Sequence, residues 1–579
     1  MASGGSAVTT TSLDELDISP VTSPISKLSD DILLLIFMTN VRIESNVPLY
    51  VFVDIMKRPL TTARMSSQVC RSWRHLLLNS PSIWGRLIQL DVLDQRSGNW
   101  REEVLRRTGS SPLWVSGNVS GTCENPTPVR LYFYSLLYNR TCWERIERLN
   151  IIVHGSKMTD RAWDTFLLPA PNLQLFEVYF PHIEEPLFLG TFSADSTKRL
   201  FGNHAPLLRE FHGDGVDFSV DSAWLANLHD IAVPSRLTVP EILELLQHMP
   251  LLESFFIPSS DATENWVPIG LFPRVDLPTL TVLLLSNTLP TCSTLLEHIY
   301  PATSCSLSLT TNAYYNPSLI TKGVLRAIRE HLPRFIHNYF ATHKIQRLKM
   351  RFHDDLFHFE DESPRLAPHI FFNVCVRTKP GSSSLPTESI HDLSELLFPI
   401  FVKYASDSPS HFSSVTGLSL DMRHLETSSL KHIYSLLCAL PALRRLRTSE
   451  DTLVFLLSVE DLRKNDSSAT KPPILFTSLG VLQLTYLDPD LFTLSGHNHG
   501  SLFPFLKGRV EANKPIDVLD LKLCGPDTLR DMNFIDEMKG LEVQWTEDDG
   551  EYSYICGSGM PDRLEFGTRF GWNVHDPLT

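Results

Sequence analysis

The sequence is short of long apolar runs, paired cysteines, basic charge and catalytic signatures. Its longest strictly apolar stretch, residues 32–38, falls far below the roughly 18 to 20 residues that cross a bilayer, so no membrane role is expected. Nine cysteines, at 70, 123, 142, 292, 305, 375, 438, 524 and 556, are odd in number and scattered, with no C-x-x-C pair. That argues against a disulfide framework or a zinc ribbon and for reduced, mostly buried thiols. The 51 Lys and Arg are outnumbered by 66 Asp and Glu, a net charge of −15. This average repels phosphate backbones, so no nucleic-acid partner is expected, and it also speaks against an Arg-lined pocket for a phosphorylated ligand. Neither a phosphate-binding Walker loop, a G-x-G-x-x-G, an H-E-x-x-H nor a G-x-S-x-G can be read anywhere. No Lys or Arg precedes Lys27, so the start is unlike a secretory leader, and a cytoplasmic or nuclear location is expected.

What is present is a 579-residue chain that is 42% apolar, enough for about three to five globular domains or one long repeat array. Residues 1–24 are rich in Ser, Thr and Gly and read as a disordered tail. From Ile25, the apolar residues Ile25, Leu28, Ile32, Leu33, Ile36 and Phe37 recur at helical spacing. Ser29 is placed to cap that helix, with Asp30 and Asp31 at the positive end of its dipole. A second helix is expected over 61–78, with Met65, Val69, Trp73, Leu76 and Leu77 on one side, ended by Ser80-Pro81-Ser-Ile-Trp84. Residues 57–107 hold ten Lys or Arg and four Asp or Glu. Trp73 and Trp84 lie on the apolar side, so this stretch reads as solvated helix faces or a dock for an acidic protein.

Beyond residue 145 a unit recurs in which a helix-like segment meets a Pro and then a strand-like run. Five instances share Pro-x-Leu-x-x-(Leu or Phe), beginning at Pro171, Pro206, Pro250, Pro278 and Pro441. A barer pattern, apolar at i, i+3 and i+5, begins at Ile146, Ile345, Val415, Leu479 and Ile516. Alone it is weak, since three chosen positions are all apolar about 7% of the time at this composition. Pairing with upstream helices raises its weight, as does the unit at Ile516, Leu519, Leu521 and Cys524, which fits a leucine-rich repeat. Units of this kind cannot bury their own apolar face, so neighbours stack: strands form a parallel sheet and helices line the other flank. Loops are expected at 360–368, 379–389 and 461–473, and the acidic stretch from Leu541 as a cap or tail.

Chemical signals are sparse. His353, Asp354, Asp355 and His358 form the densest cluster, His497 and His499 flank an Asn, and Cys556-Gly-Ser-Gly559 is a Gly-rich turn. None has metal-ligand spacing with a third and fourth partner, so no metal, cofactor or catalytic residue is expected. A cryptic hydrolase or metal enzyme is kept as an alternative on the 353–358 cluster.

Three blocks at the N-terminus carry a resemblance. Ile25-Ser-Lys-Leu28-Ser29-Asp30-Asp31-Ile32-Leu33-Leu-Leu-Ile36-Phe37, then Met65-Ser-Ser-Gln-Val69-Cys70-Arg71-Ser-Trp73-Arg74-His-Leu76, then Ser80-Pro81-Ser-Ile83-Trp84 together resemble an F-box. They are most similar to the F-box-like proteins of mushroom-forming fungi, and Trp100-Arg-Glu-Glu-Val-Leu-Arg-Arg-Thr-Gly109 matches the segment that often follows. Ser29 stands where a Pro is usual, and residues 40–61 are an insertion. The resemblance covers about residues 22–115 and, more loosely, most of the remainder; together with the composition and the repeats it gives an expected α/β chain with these parts: tail 1–24, an all-α F-box-like domain at 25–115, a leucine-rich-repeat-like solenoid at 145–540 and an acidic end at 541–579. It implies a non-catalytic substrate-recognition subunit of a cullin–RING ubiquitin ligase that docks a Skp-type adaptor and holds an unidentified target. A ligase-independent scaffold is the alternative. The implied adaptor contacts are Leu28, Ile32, Leu33, Ile36, Phe37, Val69, Cys70 and Trp73.

Overall fold

The computed structural model describes residues 24–41, 58–95, 97–121, 126–154, 161–180, 199–213, 216, 218–233, 237–258, 272–312, 321–353, 356–364, 371–377, 397–405, 409–423, 427–464, 474–485, 500–524, 533–547, 550–559 and 564. The expected tail (save Pro24), most of the 40–61 insertion, Asp354, Asp355, His497 and His499 lie outside the described residues. The chain is mixed α/β, rich in parallel strand pairs, and divides into two compact units, Met1–Leu187 and Phe188–Thr579.

The first unit opens with helices α1 (Asp30–Asn40), α2 (Pro59–Ser66), α3 (Arg71–Leu78) and α4 (Pro81–Gly85). The Ser29 hydroxyl accepts from the Ile32 amide at a long 3.5 Å, with Asp30 and Asp31 in the first turn. The single helix expected over 61–78 is two helices. The chain turns at Ser67–Cys70, where the Cys70 thiol accepts from the Trp73 amide, and this break re-aims the expected stripe. Leu77 stays buried and Trp73 and Leu76 are half-buried, but Met65 and Val69 face solvent, and Leu60 and Ala63 form the buried side of α2 instead. Pro81 starts α4, where its missing N–H costs nothing, and buried Trp84 donates to the Leu77 carbonyl at 2.8 Å.

Strands β1 (Ile88–Gln89), β2 (Leu113–Val119), β3 (Ile146–Val153) and β4 (Leu175–Tyr179) pair in parallel in that order. Strand β1 and the first residues of β2 fall inside the range 25–115 expected to be all helical. Strands β2 and β3, which lie on either side of residues 120–145, are directly paired.

In the second unit, β5 (Glu210–Gly213), β6 (Asp230–Ala232), β7 (Ser254–Ile257), β9 (Val282–Ser286), β11 (Ser306–Asn312) and β14 (Phe372–Arg377) pair in parallel; β8 (Val275–Leu277) and β10 (Ile299–Pro301) pair separately. Strands β12 (Arg347–His353) and β13 (Leu356–Asp361) then insert as an antiparallel hairpin, with β13 against β14. Parallel order resumes from β12 through β15 (Gly417–Met422), β16 (Arg445–Thr448), β17 (Val481–Leu484), β18 (Val518–Asp520) and β19 (Glu542–Glu547). The acidic stretch from Leu541 contributes β19 and the antiparallel β20 (Gly550–Ile555).

Each of the five Pro-x-Leu-x-x-(Leu or Phe) runs leads into a strand, and both apolar positions are buried in every case. The Pro has a common job. In Ala170-Pro171-Asn172-Leu173 and in its counterparts at 205–208, 249–252, 277–280 and 440–443, the last residue donates its amide to the carbonyl of the first. The Pro therefore occupies the second position of a four-residue turn, where its fixed φ is pre-set. The i, i+3, i+5 runs do likewise: Ile345, Leu348 and Met350, or Leu479, Leu482 and Leu484, are all buried. Of the expected loops, Glu360 and Asp361 instead finish β13, and residues 461–464 continue the helix Glu450–Lys464. The rest of those loops lies largely outside the described residues.

Candidate partner-docking site

Helix α1 carries more apolar residues than its neighbours can cover. It packs on α2 and α3 through Leu33 and Phe37, which are 5% and 2% exposed, and Phe37 meets Trp73 edge to face at 5.0 Å. Those contacts use one stripe of the helix. Ile32 (47% exposed), Leu35 and Ile36 face solvent, as do Ile25 before α1, Met65 at the end of α2 and Val69 (65% exposed) in the following turn. Six of the sixteen exposed large apolar side chains among the described residues thus fall between Ile25 and Val69. Single exposed apolar residues are ordinary, whereas a concentration on one small group of helices marks a surface that prefers to be covered.

Of the eight residues the resemblance singled out, Leu33 and Phe37 point inward and hold the helices together. Ile32, Ile36, Val69 and Cys70 are exposed, while Leu28 and Trp73 are half-buried. Ile25, Leu35 and Met65 are on the surface although they were outside that set. The signal that could have found Leu35 is the uninterrupted run from Ile32 to Phe37, which makes α1 apolar all round rather than along one face.

Several of the basic residues nearby are fasteners rather than free charges. Arg86 lies over Trp114 at 4.4 Å and Arg107 over Trp84 at 4.5 Å, while Arg58 pairs with Asp91 at 3.5 Å. Arg101, 8% exposed, donates to the carbonyls of Leu93 and Gln95. Hydrogen bonds from Arg106 and then Arg107 hold the Glu103 carboxyl at about 2, below its usual 4.5. Arg71, Arg74 and His75, on α3, are exposed beside the Val69 turn.

Of the other chemical candidates, His353, His358 and the turn at Gly557 fall among the described residues and have neighbours in the fold. His353 lies 3.2 Å from Asp421; His358 Nε2 lies 3.1 Å from Asn373 Oδ1 and 3.3 Å from Glu360. Gly557 and Gly559 have positive φ in a tight turn, where the Gly557 amide donates to Asp536. Among the described residues no three His, Cys, Asp or Glu side chains are grouped to hold a metal, and no helix is long and apolar enough to cross a membrane. No family model matches the chain, and no curated protein matches it.

Proposed function

We propose that the chain is the substrate-recognition subunit of an SCF-type cullin–RING ubiquitin ligase. In this reading residues 25–115 act as an F-box-like module that docks a Skp-type adaptor, and the strand-and-helix units form a leucine-rich-repeat-like solenoid that holds the target. The observation that supports it most is the surplus of exposed apolar side chains on α1, α2 and the turn before α3. A stable interface resembles a domain core cut in half, and this surface has that character. The docking set is then Ile32, Ile36 and Val69, joined by Leu28, Cys70, Trp73 and the additional Leu35 and Met65. Leu33 and Phe37 support it from beneath. The chain performs no acyl transfer itself; holding a target near a charged conjugating enzyme raises its effective concentration.

The test is co-expression with the Skp-type adaptor, followed by size-exclusion chromatography. The native chain should elute as a stoichiometric complex. Ile32→Ser with Val69→Ser should lose it, because buried apolar anchors at an interface contribute about 2 kcal/mol or more each, while the melting temperature of the free chain stays the same. A folded double variant that still co-elutes refutes the assignment of this surface.

A further inference from the structure

We propose that the solvent face of β12, β15 and β16 binds an extended acidic peptide segment through the guanidinium groups of Arg347, Arg351, Arg445 and Arg447. This rests on the reading of the second unit as the part that holds the target, and it names the chemistry of what is held.

The register sets the site. Arg347, Gly417 and Arg445 lie side by side across the three strands, Lys349, Ser419 and Arg447 form the next row, and Arg351 with Asp421 the third. The intervening Leu348, Met350, Leu418, Leu420 and Leu446 are buried on the opposite face, so alternation places every one of the basic residues on the same side. All four arginines are exposed. The middle strand offers no bulk between them. A Cβ on Gly417 would sit 3.2 Å from the Arg347 side chain, which means Arg347 already leans across β15 toward Arg445.

Charge is left over on this face. Lys349 is paired with Glu360 and Glu362, and Asp421 is engaged by His353 and Arg423. Among the described residues Arg347, Arg351, Arg445 and Arg447 form no side-chain hydrogen bond or ion pair. Four forked donors without a partner among the described residues suit oxyanions that can accept in pairs. Their spacing favours a run of carboxylates over one phosphate. Alternate residues along a strand are about 6.8 Å apart, so Arg445 and Arg447 match same-side carboxylates of an extended peptide, and β12 and β16 flank it from about 10 Å apart. Further along the sheet, Asp520 on β18 and Glu542 on β19 face the same way. They repel such a peptide and confine it to the arginine rows.

The experiment uses the full chain and a fluorescein-labelled peptide of six alternating Glu and Thr residues, read by fluorescence anisotropy. The native chain should bind, and binding should weaken as salt is added. Arg445→Glu with Arg447→Glu should weaken it at least tenfold; Arg445→Lys with Arg447→Lys, which keeps charge but not the fork, should lose less. Arg140→Glu with Arg326→Glu, at exposed ion pairs elsewhere, should bind as the native chain does. If the charge reversal unfolds the chain by circular dichroism, Arg445→Ser with Arg447→Ser serves the same comparison. No binding by the native chain, or equal binding by the folded 445/447 variants, overturns the proposal. So does tighter binding of a peptide carrying a single phosphoserine and no carboxylate side chain. Adaptor co-elution is scored separately. A chain that binds the peptide but no adaptor overturns the ligase reading alone, and a 445/447 variant that keeps the adaptor localises the loss to this face.

Discussion

Replacing Arg509 with Met tests how the turns before the strands are held when Pro is not there. Five turns carry Pro at the second position, but the turn at 476–479, before β17, has Thr477 there and places Phe476 at φ +53, a region costly for a residue with a side chain. Arg509, 2% exposed, holds it. Nη1 donates to the Leu475 carbonyl and Nη2 to that of Phe476, each at 2.9 Å, and Nε to that of Lys514 at 3.1 Å. Met fills similar volume but leaves three carbonyls without these donors. Hydrogen bonds from a charged donor contribute roughly 1.5 to 3 kcal/mol each. Part of that is offset because a buried guanidinium no longer has to be desolvated, the same burial that lowers the Arg509 pKa. A net loss of about 3 kcal/mol remains, so local opening should become roughly a hundredfold more frequent. Amide hydrogen exchange read by mass spectrometry should show it in the peptide containing β17 and not in one containing β5. Protection of β17 that changes by less than about fivefold would refute the clamp.

Three further changes follow from the space around two glycines and from charge. A Cβ on Gly85 would lie 2.2 Å from the Pro112 carbonyl oxygen, so Gly85→Ala should destabilise the first unit by about 2 to 3 kcal/mol. Gly508, inside the helix Leu502–Glu511 with nothing within 4 Å, should accept Ala with a gain of about 0.5 to 1 kcal/mol; thermal melts of the two variants should shift in opposite directions. Glu360 is held at about 2 by hydrogen bonds from His358 and Lys349. A carboxylate whose folded pKa is depressed contributes stability that is fully present above its unfolded value of 4.5 and is lost as pH falls toward about 2. Exchange protection in β12 and β13 should therefore decline across that window, and Glu360→Gln should flatten the decline.

The repeating units were legible because each obeys two local rules at once. The Pro sets the turn, and the apolar residues at i, i+3 and i+5 fill the core beneath it, as at Pro250, Leu252, Phe255 and Ile257. The hairpin of β12 and β13 was not legible as a pair, because Asp354-Asp355 between the two strands is not one of the glycine-bearing pairs that mark a two-residue reversal, and Leu356, Phe357 and Phe359 look like one more strand of the array. At the N-terminus the order of the helices could be read, but not their exposure. Periodicity places Ile32 and Leu33 on neighbouring faces, and only the packing of α2 and α3 decides that Leu33 is covered and Ile32 is not. The break at Ser67–Cys70 escaped for a related reason: no Pro or Gly marks it, and the Cys70 thiol, a weak acceptor, does the capping.

Charge behaves in the same way, and the net value of −15 hides two opposite arrangements. Residues 57–107 are the visibly basic stretch, yet several of their arginines are stacked on Trp84 and Trp114 or hydrogen-bonded to carbonyls and Glu103, so part of their charge serves the fold. Arg347 and Arg351 belong to a short basic segment at 344–351 and Arg445 and Arg447 to another at 444–447, a hundred residues apart at the extremes, and nothing in the sequence says that the two segments meet. Parallel pairing through β15 collects them on one face. A sheet whose strands are joined by long crossovers gathers side chains by register rather than by proximity in sequence. For such a chain, the local sign of the surface is therefore a property of strand pairing, and an average over the sequence has little bearing on what the sheet can hold.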